Sequence, residues 1–146
     1  MDQSANWKYA NEMGHWLNSM QFNDEGKLST PWNYWFTGTF KYEATLKSAR
    51  RSTQNFIKGV NPDLAFWGTE SGKETGRNHV HGLLHFNTLM PPPAKTLWYW
   101  WFSRYGRAHV DKFEQEKGAV HYVSKYVAKQ LTDYDLQGKG LRCPEL

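Results

Sequence analysis

Along this chain the spacing of apolar residues switches between helical and strand periods. Trp7, Ala10, Met13 or Gly14, Leu17 and Met20 recur near the helical period, which predicts a helix over 4–21. Asn23-Asp-Glu-Gly26 reads as a turn and Ser29-Thr-Pro31 as loop. From Tyr34 to Phe40 the pattern alternates in β-forming residues, giving a first strand. Thr45 can cap a helix from about Leu46 to Lys58, ended by Gly59 and Pro62. Leu64–Glu70 reads as a second strand. Ser71–Arg77 is a basic, glycine-containing connection into a third strand, His79–Phe86. Pro91-Pro-Pro93 breaks the chain before a helix over Ala94–Arg104. Arg107–Lys112 reads as a fourth strand with Ala108 and Val110 on one face. A last helix is expected over Phe113–Leu131, with Val120, Val123, Val127 and Leu131 as its apolar stripe. Gly138 and Gly140 argue for an irregular tail over 133–146.

The order helix, β-α-β-β-α-β-α predicts an α+β fold, an antiparallel sheet flanked by helices in split β-α-β arrangement. A length of 146 residues suits one domain with a proper core. Its expected parts are an N-terminal helical segment (about 1–30), a core (about 31–132) and the tail. Neither repeats nor a low-complexity tract nor a second domain is evident.

Composition narrows the function classes. The 8 Trp, 8 Tyr and 8 Phe can build a core and leave rings to stack on bases. A net charge of +4 is compatible with a polyanionic partner without demanding one. The single cysteine, Cys143, excludes an intrachain disulfide and a cysteine-based zinc site. The longest aromatic run, Leu97–Phe102, is far too short to span a bilayer, and the first residues lack a signal-peptide layout. The expectation is a soluble, cytoplasmic protein.

The chemistry concentrates in Asn78-His79-Val80-His81-Gly82. Alternate residues of a strand share a face, so His79 and His81 point the same way, close enough to hold one metal ion. Glu70 is the best third ligand, because the antiparallel connection can bring it beside His79. Two imidazoles and a carboxylate leave positions open on a divalent cation, Mn²⁺ or Mg²⁺, for a phosphate oxygen. Glu74 is a weaker ligand candidate. His85 shares the parity but lies about 13 Å from His81 on strand rise, and His109 and His121 could arrive only through tertiary folding.

Tyr122-Val-Ser-Lys125 is followed at once by Tyr126-Val-Ala-Lys129, one pattern twice. Four residues turn a helix by about 400°, so the two tyrosines share a face. Either phenol could address one phosphate, with Lys125 or Lys129 holding it or favouring the phenolate. The alternative is that both tyrosines simply flank the apolar stripe.

In these motifs the chain resembles the HUH (His-hydrophobic-His) endonucleases, and more narrowly rolling-circle replication initiators of plasmids, single-stranded DNA viruses and phages. Phe36-Thr37-Gly38-Thr39-Phe40, His79-Val80-His81 and Tyr122-Val-Ser-Lys125 stand in the family's order within residues 34–130. The resemblance implies a five-stranded antiparallel sheet of the RRM-like HUH nuclease type. The fifth strand would then be hidden at Tyr42-Glu43 or in the N-terminal segment. It also implies the reaction: tyrosine attack on single-stranded origin DNA, a 5′-phosphotyrosyl intermediate, a free 3′-OH and later rejoining. The doubled Tyr-x-x-Lys resembles initiators with two nucleophiles, with Tyr122 taken as primary. No Gly-x-x-x-x-Gly-Lys-[Ser/Thr] loop is present, so a separate helicase and polymerase would be partners.

DNA-contact candidates are Thr37 and Thr39 on the first strand, Arg50 and Arg51 (with Lys41, Lys47 and Lys58) around the following helix, and Lys73 and Arg77 before the histidine strand. Trp98, Trp100 and Trp101 could stack on bases, although their position after the prolines suits a helix packed on the sheet. Competing readings are a related single-strand DNA transposase and a non-catalytic RRM-like nucleic-acid-binding module. The second leaves Glu70, His79, His81 and the doubled tyrosine motif unexplained.

Overall fold

The computed structural model describes residues 3–70, 77–123 and 131–138. Its elements run α1 (Gln3–Ser19), β1 (Tyr34–Gly38), α2 (Leu46–Val60), β2 (Leu64–Glu70), β3 (His79–His85), α3 (Ala94–Phe102), β4 (Ala108–Lys112), α4 (118–123 among the described residues) and β5 (Leu131–Gly138). The strands form one open sheet in the order β4-β1-β3-β2-β5, and every neighbouring pair is antiparallel. The fold is therefore α+β, with a five-stranded antiparallel sheet between helices. Among the described residues no helix is long and apolar enough to cross a membrane.

Each face of the sheet carries its own core. Phe36, Ala65, Trp67, Val80 and Leu84 face α2 and α3, meeting Ala49, Phe56, Ile57, Leu97 and Trp101. α2 starts at Thr45, whose side chain accepts the Ser48 N–H at 3.0 Å, and buries the helical stripe Ala49, Ser52, Thr53, Phe56 and Ile57. The helix runs past Gly59 to Val60. The glycine is needed instead because the Trp100 ring lies against it, and the stop is Asn61, left-handed at φ 56°. Trp101 is fully packed and donates its indole N–H to the Thr39 carbonyl at 2.8 Å. Helix α3 thus packs on the sheet through Trp101, which lies against Gly38, while Trp100 lies against Gly59 of α2.

On the opposite face Trp35, Leu64, Phe66 and Leu83 meet Met13 and Leu17 of α1, Ala119 and Val123 of α4, and Leu136 of β5. Burying residues such as Leu17 and Leu83 stabilises the fold by about 1.5–3 kcal/mol each. α1 and α4 approach very closely: a Cβ on Gly14 would lie 2.6 Å from the Val120 Cα.

Two sequence expectations need correction. The fifth strand is neither Tyr42-Glu43 nor N-terminal. It is 131–138, placed by sequence in the end of the last helix and the irregular tail. Its pairing with β2 slips between Thr69 and Glu70, so Leu136 stands opposite Phe66 while Leu131 stands opposite Glu70. That odd spacing of five hides the strand period. Nor does a helix begin at Phe113: residues 115–117 form a turn, and helix starts at Gly118, which has a positive φ of 71°. Smaller shifts shorten β1 to Gly38 and α3 to Phe102.

Candidate metal and nucleophile site

The register of β2 and β3 assembles the first part of the site. Glu70 is paired directly with His79, and Gly68 with His81, so Glu70, His79 and His81 share a face at one end of two adjacent strands. Glu70 reaches back over Gly68, and its Oε2 lies 2.7 Å from His81 Nε2. Among the described residues no three such side chains already form a metal cage. Glu70 is instead drawn onto His81, in the place where a cation between them would sit. The donor set nevertheless suits a divalent ion with open positions, two imidazole nitrogens and a carboxylate. Holding one requires that Glu70, with a side chain 20% exposed, turn its oxygen off His81.

His81 is fixed on three sides. Its Nδ1 lies 3.0 Å from Thr37 Oγ1, directly across on β1. Its ring stacks on Trp35, with centroids 5.8 Å apart and planes 10° from parallel. Burial pushes the imidazole below its ordinary pKa. The Glu70 hydrogen bond and charge pull the other way, and His79 adds to the depression. The neutral form this favours is the one that can offer a lone pair to a metal.

Tyr122 lies on the same face of the sheet, beyond Trp35. Its ring is 5.5 Å from Trp35, 5.0 Å from Phe113 and 5.1 Å from His121. Trp35 therefore touches both His81 and Tyr122. The phenol oxygen accepts the Glu114 N–H at 3.0 Å, which leaves its own O–H available to donate. Lys117, paired with Glu114 at 2.7 Å, is held protonated to higher pH by that carboxylate and, to a smaller degree, by Tyr122. Lys117 is thus a cation near the phenol that the sequence reading overlooked. Tyr126, Lys125, Lys129, Lys73 and Glu74 lie outside the described residues.

The remaining candidates divide. Thr37 is committed to His81, and Thr39 donates its hydroxyl to the Arg107 carbonyl at 2.8 Å, joining β1 to β4 beside the site. Arg77 is exposed just before β3. Arg50 and Arg51 sit on the exposed side of α2, which covers the other face of the sheet, so the fold does not bring them to the histidines. His109 is exposed and directly opposite Thr37 on β4, on the face that carries His81. His85 is buried, with Nδ1 2.6 Å from the Pro31 carbonyl, and acts in packing.

Polar residues that sequence reasoning missed hold α4 in place. Asn18 Oδ1, at the end of α1, accepts the Ala119 N–H at 3.1 Å and a Gln21 amide N–H at 3.1 Å. Gln21 is fully buried, and its Oε1 accepts from Trp32 N–H at 2.8 Å and Gln115 Nε2 at 2.7 Å. The fold joins this Asn/Gln cluster over a separation of 101 residues between Asn18 and Ala119, beyond any local sequence signal. Trp35 could have been read, since it shares strand parity with Thr37.

No protein-family model matches the chain, and no curated protein matches it in sequence.

Proposed function

We propose that this protein is a replication initiator of the HUH endonuclease type, with the RRM-like sheet of that group, which nicks and rejoins single-stranded origin DNA. The observation that carries the reading is the register that sets Glu70 opposite His79 and within hydrogen-bond reach of His81. The tyrosine-bearing α4 packs on the same face through Trp35, which gives the reading its second support. Glu70, His79 and His81 would hold Mn²⁺ or Mg²⁺. Bound there, the ion would polarise the scissile phosphate and steady developing charge.

The chain's own groups do the rest. A phenol oxygen of Tyr122 or Tyr126 attacks phosphorus, the bond to the 3′ oxygen breaks, and the phenolic proton ends on that oxygen as a free 3′-OH. The 5′ side stays attached to tyrosine, so bond energy is conserved for rejoining. Lys125 or Lys129 would steady the phosphate. Arg77, Thr39 and Lys73 would border the path of the strand, with Arg50 and Arg51 serving only DNA that wraps past the sheet end. The reading places the protein in the cytoplasm with a separate helicase and polymerase.

The test is a covalent one. The protein is incubated with Mn²⁺ and a pool of end-labelled single-stranded hairpin DNA, and denaturing gels are read for a protein–DNA adduct. An adduct is expected, absent in His79→Ala and in the double variant Tyr122→Phe/Tyr126→Phe. Retention of the adduct in the double variant would remove the tyrosine assignment. Unchanged adduct formation in His79→Ala would remove the metal assignment. Binding without any adduct would favour the non-catalytic RRM-like module.

A further inference from the structure

Thr37 was expected to face DNA, yet its hydroxyl is spent on His81. The partners of that imidazole show why this matters. A neutral imidazole has one N–H donor and one lone-pair acceptor. Glu70, as a carboxylate, only accepts, so the 2.7 Å contact puts the His81 proton on Nε2. Nδ1 then holds the lone pair and accepts the Thr37 O–H across 3.0 Å.

For Nε2 to bind a cation, the proton must sit on Nδ1 instead. Thr37 lies where it is needed in both states. Its hydroxyl donates to Nδ1 in one and, after rotation about the C–O bond, accepts from Nδ1–H in the other. Neither the His81 ring nor the Thr37 oxygen has to move. His81 is 4% exposed, so without Thr37 solvent would substitute poorly. An orphaned buried N–H is less well tolerated than an under-used acceptor, so removing the hydroxyl burdens the metal-binding tautomer most.

We infer that Thr37 is a positioning residue that switches the His81 tautomer between a Glu70-bound resting state and a metal-binding state. The inference rests on the metal reading above and deepens it. Trp35 completes the arrangement by holding the ring plane, so the tautomer changes while the ring stays in place.

Mn²⁺ binding to the full chain, followed by the electron paramagnetic resonance signal of free Mn²⁺, separates the two claims. Thr37→Val keeps shape and removes the hydroxyl; Thr37→Ser keeps the hydroxyl. Thr37→Val is expected to weaken Mn²⁺ binding by about 10–100-fold, the usual effect of removing an outer partner of a metal-bound histidine. Thr37→Ser is expected to stay within a few-fold of the parent, and His81→Ala to lose the site. Equal binding by the parent and Thr37→Val, with loss in His81→Ala, would overturn the Thr37 inference and leave the metal reading standing. Binding unaffected by His81→Ala, or no binding by the parent, would overturn both. Nitrogen-15 spectra of the His81 ring provide a readout independent of affinity. In the parent the proton should move from Nε2 to Nδ1 when Zn²⁺ is added as a diamagnetic probe. A proton already fixed on Nδ1 in the metal-free parent would overturn the switch.

Discussion

Replacing Gly14 with alanine sets two effects of opposite sign against each other. In an isolated helix the change would stabilise by about 1 kcal/mol, because glycine is the weaker helix former. Here the added Cβ would meet the Val120 Cα at 2.6 Å and its Cγ2 at 2.9 Å, where ordinary contact begins at 3.4 Å. The obstructing atom is backbone, so no side chain can swing aside. α4 must retreat from α1 by about 0.8 Å to reach that contact distance. Overpacking of this kind costs about 1–3 kcal/mol. The net expectation is a loss of about 0–2 kcal/mol, with the sign opposite to helix propensity.

The larger effect falls on function. Tyr122 lies two residues beyond Val120, and its ring is held against Trp35 and Phe113. A displacement near 1 Å in a reacting group can lower a rate by about 100-fold. Urea unfolding and the initial rate of adduct formation are measured on Gly14→Ala beside Glu12→Ala, an exposed α1 position that feels propensity alone. Gly14→Ala should be no more stable than the parent and should form adduct markedly more slowly. A gain of about 1 kcal/mol with an unchanged adduct rate would refute the close α1–α4 seat.

Other consequences are separately measurable. The pKa of His81 is lowered in the fold, so its contribution to stability is present above about 6.5, the unfolded value, and is lost as pH falls below it. Urea midpoints in metal-free buffer should fall more steeply toward acid for the parent than for His81→Asn, and parallel profiles would exclude the effect. Asn18→Ala removes the acceptor for the Ala119 N–H and for the buried Gln21 amide, and should lower stability by about 1–3 kcal/mol by thermal or urea unfolding. Gly82→Ala would set a Cβ against the Phe36 ring and 2.5 Å from the Phe66 carbonyl oxygen in the middle of the sheet. Gly26→Ala meets open space and bears only the positive φ of 77°, about 1–2 kcal/mol. The first should therefore abolish a cooperative unfolding transition that the second retains; the reverse order would contradict the β1–β3–β2 packing.

What could be read from sequence was whatever local chemistry fixes. The Thr45 cap, the prolines before α3 and the alternation at His79/His81 were legible because each acts within a few residues. Glu70 beside His79 followed from strand parity plus a short connection. The fifth strand was not legible, because Asp133 and Asp135 are poor strand residues and the pairing slip breaks the period; an edge position tolerates both. The side of the sheet on which α2 carries Arg50 and Arg51 was not legible for another reason. Amphipathicity tells which side of α2 is buried, but not which face of the sheet receives it. That follows from the crossovers: β1 and β2 run parallel with β3 between them, β3 and β4 run parallel with β1 between them, and connections of one hand place α2 and α3 on the same face. The Thr37–His81 hydrogen bond was not legible either, because sequence gives the face of Thr37 but not its partner.

The two faces of the sheet explain how a polar site can exist here at all. Under α2 and α3 the centre of the face is apolar, with Phe36, Trp67, Val80 and Leu84 all buried. On the other face the apolar side chains of α1 and α4 meet the row Trp35, Leu83, Phe66 and Leu136, and the next rows along the strands carry Thr37 with His81 and then His79 with Glu70. Exposure rises in the same direction, from buried His81 to partly exposed Glu70 and His79. A histidine at the margin of a core would cost stability if either ring nitrogen lacked a partner. Both have one, supplied by residues on the strands to either side. The ring is thereby fixed by the core, while the groups that must move or admit a ligand stand nearer to solvent. That division, a rigid inner imidazole and adjustable outer ligands, separates this pair of histidines from two that merely fall at strand spacing.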